Sequence, residues 1–202
     1  MLGPYELIAL LPTLEEHAAW KTRERAGHRR CAAFDADGTL WREDLPEAVI
    51  GRAVSDAQIR PQALTPFNEL LERFGKPRAA SAHDAWTQLS WGYTSGTLHK
   101  EGAARGLSIE QVDREFWGSY NVVFAGWEPE SLMTHTRKVM DSGFGGQIFA
   151  GMRDLLAALR RRGFRTVVVS AGLDLPVRVA ASYLGFAPEE VRGNRSKLRN
   201  GI

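Results

Sequence analysis

The chain has 202 residues, 44% hydrophobic and 25% charged. These proportions suit one globular domain, or a small core domain with an insertion, and argue against a disordered, collagen-like or disulfide-stapled chain. Lys and Arg total 26 against 24 Asp and Glu, a formal net charge of +2, so nothing in the charge points to nucleic acid or an acidic membrane as partner. Cys31 is the sole cysteine, which excludes an intrachain disulfide and fits a reducing cytoplasm. No stretch approaches the roughly 20 apolar residues of a membrane span. The opening MLGPYELIALL lacks a basic start and is interrupted by Glu6, so no signal peptide is expected.

Residues 1–30 read as a helical lead-in, with Leu7, Leu10, Leu11 and Leu14 at helical spacing, followed by the charged run KTRERAGHRR. That run reads as a solvated face, with a phosphate-binding patch as the alternative. Cys31 to Phe34 form a short apolar run that ends at Asp35, with Gly38 close behind. This predicts a buried strand meeting a tight turn, and it places Cys31 as a buried, unreactive thiol.

Between about 44 and 145 the punctuation is helical. Thr65-Pro66 ahead of Phe67, Leu70, Leu71 and Phe74, with Gly75 behind, predicts a helix capped by Thr65 with proline at its first position. Ser108 with Gln111 forms a capping-box pattern ahead of Ile109, Val112 and Phe116. Ser81–Leu89 and Pro129–Val139 are further helical candidates. About 100 residues is too long for a crossover between strands, so this block reads as an inserted helical subdomain, and GFGG at 143–146 as a hinge on its return side. Its aromatic residues, Trp86, Trp91, Tyr93, Trp117, Tyr120 and Trp127, suit either a helical core or faces for a cationic head group.

Met152, Leu155, Leu156 and Leu159 predict an amphipathic helix, closed by Arg160 to Arg162 and Gly163. RTVVV at 165–169 predicts a half- or fully buried strand, and Pro176–Leu184 another helix. Helix, short loop and β-branched strand make half of a βαβ unit, hence an α/β fold with a parallel sheet. The five histidines show no metal-ligand spacing.

Two chemical motifs stand at the two strand ends. In FDADGTLW, residues 34–41, Asp35 and Asp37 sit at i and i+2 where the chain leaves its strand. Gly38 permits a sharp turn and Thr39 adds a hydroxyl. At the C-terminal edge of a parallel sheet such groups converge on ligands; the plain alternative is a surface turn. In VVVSAG, residues 167–172, Ser170 and Ala171 offer a hydroxyl and N–H groups to an anion.

In that order the two motifs resemble those of the haloacid dehalogenase (HAD) superfamily, and the helical block resembles the cap of its phosphoserine-phosphatase-like branch. The resemblance implies a Rossmann-type parallel-sheet core, residues 31–43 and 146–202, with an inserted α-helical cap, residues 44–145. It implies Mg²⁺-dependent hydrolysis of a small phosphomonoester through an aspartyl-phosphate, Asp35 being the nucleophile and Asp37 the acid/base. Mg²⁺ would be held by Asp35 and the Asp37 carbonyl. Gly38, Thr39, Ser170 and Ala171 would bind the phosphoryl oxygens. Asp44 or Glu43 would grip a substrate amine, pointing to a phosphoserine- or phosphorylcholine-like metabolite.

The resemblance also calls for a lysine and an acidic metal-binding pair after Ser170. Lys197 is the only lysine there, and Asp174, Glu189 and Glu190 are the only acids. The metal site therefore reads as incomplete, and two accounts stand: a fragment of a phosphatase, or an inactive HAD-like protein that binds a phosphate ligand or a partner chain. An incomplete sheet would expose an unpaired edge and favour self-association.

Overall fold

The computed structural model describes residues 30–195. The lead-in, the charged run before Arg30, and Lys197 lie outside the described residues. Within them, three strands form one parallel sheet in the order β1-β2-β3: β1 Cys31–Phe34, β2 Arg165–Leu173 and β3 Val191–Asn194. Eight α-helices accompany it: α1 Leu45–Ser55, α2 Leu64–Arg73, α3 Ala82–Thr94, α4 Thr97–Ala103, α5 Ile109–Gly118, α6 Pro129–Asp141, α7 Ala150–Arg161 and α8 Asp174–Ser182.

Strand β1 pairs with β2 from Cys31↔Arg165 to Phe34↔Val168. Successive strand residues face opposite sides, so Ala32, Phe34, Thr166 and Val168 share one face. That face is covered: Leu155 and Leu159 of α7 pack with Phe164 against Ala32 and Phe34, and Arg160 Nε donates to the Thr166 hydroxyl at 3.0 Å. Helix α8 adds Val177, Ala180 and Ala181, which join Val168 and Val191 in the main core. The other face is bare among the described residues. Cys31, Ala33, Arg165 and Val169 are exposed there and Val167 is half-buried. The expectation of a buried β1 and a buried Cys31 thus fails. Among the described residues β1 is an edge strand, and Cys31 points to the side that they leave uncovered.

The chain passes from the sheet into its long helical block and back through two adjacent segments. Trp41 bridges Ile148 antiparallel, the Arg42 amide donates to the Gln147 carbonyl, and the Phe149 amide donates to the Leu40 carbonyl. Between these crossings lie α1 to α6. Their apolar faces build a core in which Trp86 packs on Phe67, Phe116 and Tyr120. This core runs without a break from Phe67 and Trp86 to Val177 and Val191 of the sheet side.

Local sequence signals account for most of these helices. Ser81 caps α3, and Ser108 with Gln111 forms the predicted capping box of α5. Helix α2 departs from expectation: it begins at Leu64, and Thr65 makes no cap. Pro66 is tolerated within the first turn, where its missing N–H has no partner to lose.

Candidate active site

The β1 strand delivers Asp35 and Asp37 to the C-terminal edge of the sheet. Immediately after Phe34 the chain turns, with the Thr39 and Leu40 amides donating to the Ala36 carbonyl at 3.2 and 2.8 Å. Gly38 occupies the left-handed region, φ +72°, with open space where a Cβ would stand. Glycine is needed there for backbone conformation rather than for room. The buried side chains of Ala36, Leu40 and Trp41 anchor the turn in the core.

Asp35 is exposed, with one carboxylate oxygen accepting the Ala36 amide at 2.8 Å. Asp37 is held more firmly. Its Oδ1 accepts Trp41 Nε1 at 2.6 Å and the Leu45 amide at 2.9 Å. Burial pushes the Asp37 carboxyl above the ordinary aspartate range, against the pull of those two hydrogen bonds, and the carboxylates of Asp44 and Asp35 push the same way. A fixed carboxyl that keeps its proton more readily than usual suits a general acid, and the exposed one beside it, held by a single amide, suits a nucleophile.

Ser170 reaches the same edge from β2. The strand does not stop at Val169 but runs to Leu173, with a break in register. Val169 pairs with Arg192 and Leu173 with Asn194, so Ser170, Ala171 and Gly172 face a single residue of β3. A bulge of this kind re-aims a side chain. The Ser170 hydroxyl oxygen accepts the Gly172 amide at 2.9 Å, which leaves its O–H free to donate. Ala171 is exposed beside it. A Cβ at Gly172 would lie 3.3 Å from Pro46 Cγ, so the Ser170 bulge abuts the first turn of α1, which also supplies the Leu45 amide to Asp37. The structure thus brings Asp37, Gly38, Thr39, Ser170 and Ala171 to one end of the sheet, with Asp35 at the tip of β1.

Asp44 has a local duty. It is the N-cap of α1 and accepts the Glu47 amide at 2.8 Å. Together with Glu43 and Glu47 it lines an open cleft of about 540 Å³, closed on other sides by Arg52, Phe144 and Gln147. Burial, then the charges of Asp44 and Glu43, raise the Glu47 carboxyl. Neither Glu47 nor Trp41 was singled out from the sequence. The available signals were the i+3 spacing from a capping aspartate and the indole four residues after Asp37.

Asp174 makes no side-chain cap for α8. It is buried, pairs with Arg178 at 2.8 Å and Arg195 at 3.6 Å, and accepts the Gly193 amide at 3.1 Å. Its effect is to tie β3 to α8. Gly193 must be glycine, since a Cβ there would meet Asp174 Cα at 2.6 Å. No group of three or more His, Cys, Asp or Glu able to hold a metal occurs among the described residues. Asp35 and the Asp37 carbonyl supply two donors of the about six that Mg²⁺ takes, so the described residues do not by themselves make a Mg²⁺ cage.

Trp86, Tyr120, Trp117 and Tyr93 pack on one another in the helical core, while Trp91 and Trp127 lie apart from them. Trp86 is buried core, whereas Trp91 is 64% exposed and Trp117 44% exposed. Trp127 sits elsewhere, under the Arg60 guanidinium and edge-on to His135. His99 pairs with Asp113 at 2.8 Å, and the buried His135 bonds the Val49 carbonyl at 3.0 Å, both structural contacts.

Comparison with known proteins agrees with the geometry. A family model described as haloacid dehalogenase-like hydrolase matches residues 32–201. The chain belongs to the haloacid dehalogenase-like hydrolase family. Among solved structures, a conserved functionally unknown protein from Anaerococcus prevotii DSM 20548 is similar at 16% identity and TM-score 0.52, covering 86% of this chain and 63% of its own. A phosphoserine phosphohydrolase-like protein from Francisella tularensis subsp. tularensis SCHU S4 aligns at 16% identity and TM-score 0.43, covering 81% of this chain and 57% of its own. The chain therefore spans about three fifths of the length of these two structures. A search of curated proteins finds no match. Among the described residues, no helix is long and apolar enough to cross a membrane.

Proposed function

We propose that the chain is a phosphomonoester hydrolase that works through Asp35 and Asp37. The observation that carries this reading is the contrast between the two carboxyls at the end of β1, one exposed and one half-buried and doubly hydrogen-bonded. Asp35 attacks phosphorus and takes up the phosphoryl group as its ester oxygen departs. Asp37, protonated on its unbonded Oδ2, gives that proton to the leaving alkoxide. It then accepts one from the water that cleaves the aspartyl-phosphate. The Ser170 hydroxyl and the amides of Gly38, Thr39 and Ala171 hold the phosphoryl oxygens. Mg²⁺ is the cation we assign to this chemistry, with Asp35 and the Asp37 carbonyl as its donors; it would offset the repulsion between phosphate and carboxylates.

The cleft of Glu43, Asp44 and Glu47 supports a small substrate with a positively charged end, phosphoserine- or phosphorylcholine-like. The test is phosphate release from phosphoserine, phosphorylcholine and p-nitrophenyl phosphate, with Mg²⁺ and with EDTA. Turnover that needs Mg²⁺ and favours a cationic substrate is expected. Failure to release phosphate from any of the three would overturn the reading. A second reading, phosphate or partner binding without turnover, is favoured by the lack of a group of three metal-ligating side chains among the described residues. It predicts saturable binding of inorganic phosphate in the absence of hydrolysis.

A further inference from the structure

We propose that the cleft between the loop after α1 and helix α6 binds a small organic monocarboxylate with an apolar body. The cleft has a volume of about 760 Å³, with Ile59, Arg60 and Pro61 on the loop side and Trp127, His135 and Lys138 on the other. It stands at the far end of α1 from the proposed catalytic carboxyls. Leu45, the first residue of α1, donates to Asp37, whereas the cleft begins at Ala57, just beyond Ser55. The 11 residues of α1 span about 16 Å. No cleft residue belongs to the group of Asp35, Asp37 and Ser170, so the proposal does not rest on the proposed hydrolysis.

Three features of the cleft select that ligand. The first is a buried donor. Trp127 is 8% exposed, and its Nε1–H, closed off from solvent, meets no acceptor among the described residues. Buried N–H groups are paired as a rule, and a ligand oxygen would pair this one. The second is the group that covers the indole. The Arg60 guanidinium lies 5.6 Å from the Trp127 ring centroid, and its Nη1 donates to the Gly126 carbonyl. Arg60 is an exposed side chain, so it can swing off the indole, and its planar fork matches a carboxylate with two parallel hydrogen bonds. The third is charge. The cleft carries Arg60 and Lys138 against Glu128 and Glu130, and Glu130 is already paired with Arg137 at 2.9 Å. That leaves two cations to one carboxylate, a balance that a single negative charge satisfies. A phosphate dianion would overshoot it and meet two glutamates on the same wall. Ile59, Pro61 and the indole ring supply the apolar wall for the rest of the ligand.

Benzoate is the probe, and the sequentially assigned Trp127 indole N–H resonance of the full chain is the readout. Benzoate should move that resonance saturably. Benzamide, the same shape without the charge, should bind about tenfold more weakly. Arg60→Gln, at an exposed position, should weaken benzoate by a similar factor while keeping the thermal midpoint. Should that variant lose the fold, the benzamide comparison needs no substitution and carries the test alone. A Trp127 resonance that benzoate leaves unmoved overturns the proposal. So does benzamide binding as tightly as benzoate, or benzoate affinity unchanged in folded Arg60→Gln. Inorganic phosphate that moves the Trp127 resonance at lower concentration than benzoate also overturns it, by making the cleft a site for oxyanions of higher charge.

Discussion

The helical block and the sheet divide the work of the molecule unequally. Around Trp86 the helices make a dense aromatic core: Trp86 stacks on Phe116 at 6.1 Å and meets Tyr120 edge-on at 5.6 Å. Tyr93 stacks on Phe116 at 3.9 Å. The sheet has three strands, a free β1 edge and one bare face among the described residues, yet it carries both aspartates. Packing is richest where the chemistry is absent. The reacting groups are held instead by a few directed bonds, from Trp41 and Leu45 to Asp37 and from Gly172 to Ser170.

That division predicts opposite consequences for mutations in the two regions. The largest effect on activity comes from Asp35→Asn, which removes the attacking carboxylate. Phosphomonoester turnover should fall by several orders of magnitude, with a thermal midpoint close to the unmodified chain, because Asp35 is exposed. A large stability loss would mean that the sheet edge is bound up with the core after all.

Next comes Trp86→Ala. Truncating a buried tryptophan costs about 3–5 kcal/mol, read by urea unfolding. Trp91→Ala, at an exposed site in the same helix, should cost no more than about 0.5 kcal/mol. Equal costs at the two sites would erase the distinction between core and surface aromatics.

The third test concerns pH. The carboxyl of Asp37 is raised, so the protonated acid is present below its folded pKa, and kcat/KM should fall as pH rises through that value. Trp41→Phe deletes a bond that favours the carboxylate. It should therefore move this falling limb to higher pH. A limb that stays in place, or moves to lower pH, contradicts the role given to Asp37.

Smallest is Asp44→Ala, which removes the α1 cap at a cost of about 1 kcal/mol. If Asp44 also grips a cationic substrate, KM for phosphorylcholine rises while that for p-nitrophenyl phosphate does not. A uniform change for both leaves it a cap alone.

The sequence made local features plain and distant ones obscure. The strand at 165–169, the capping box at Ser108 and the DADGT turn follow from residues within a few positions of one another, and they appear as expected. Buried status for Cys31 was wrong because an apolar tetrapeptide records strand formation, not how many neighbours the strand has. The Ser170 bulge was hidden for the same reason: it exists only against β3, more than 20 residues onward. The paired roles of Trp41 and Leu45 at Asp37 depend on a turn closing over eight residues, beyond the reach of any period. Thr65 is no cap because the start of α2 is set by the preceding turn, Pro61–Ala63, as much as by the helix itself.

An attacking Asp35 becomes phosphorylated during turnover. The most direct test is acid quenching during turnover of a phosphomonoester, followed by peptide mass analysis. A single phosphoryl group is expected on the peptide that contains Asp35, labile to base and absent from Asp35→Asn. Turnover without that adduct under single-turnover conditions, or an adduct on any other residue, would contradict it.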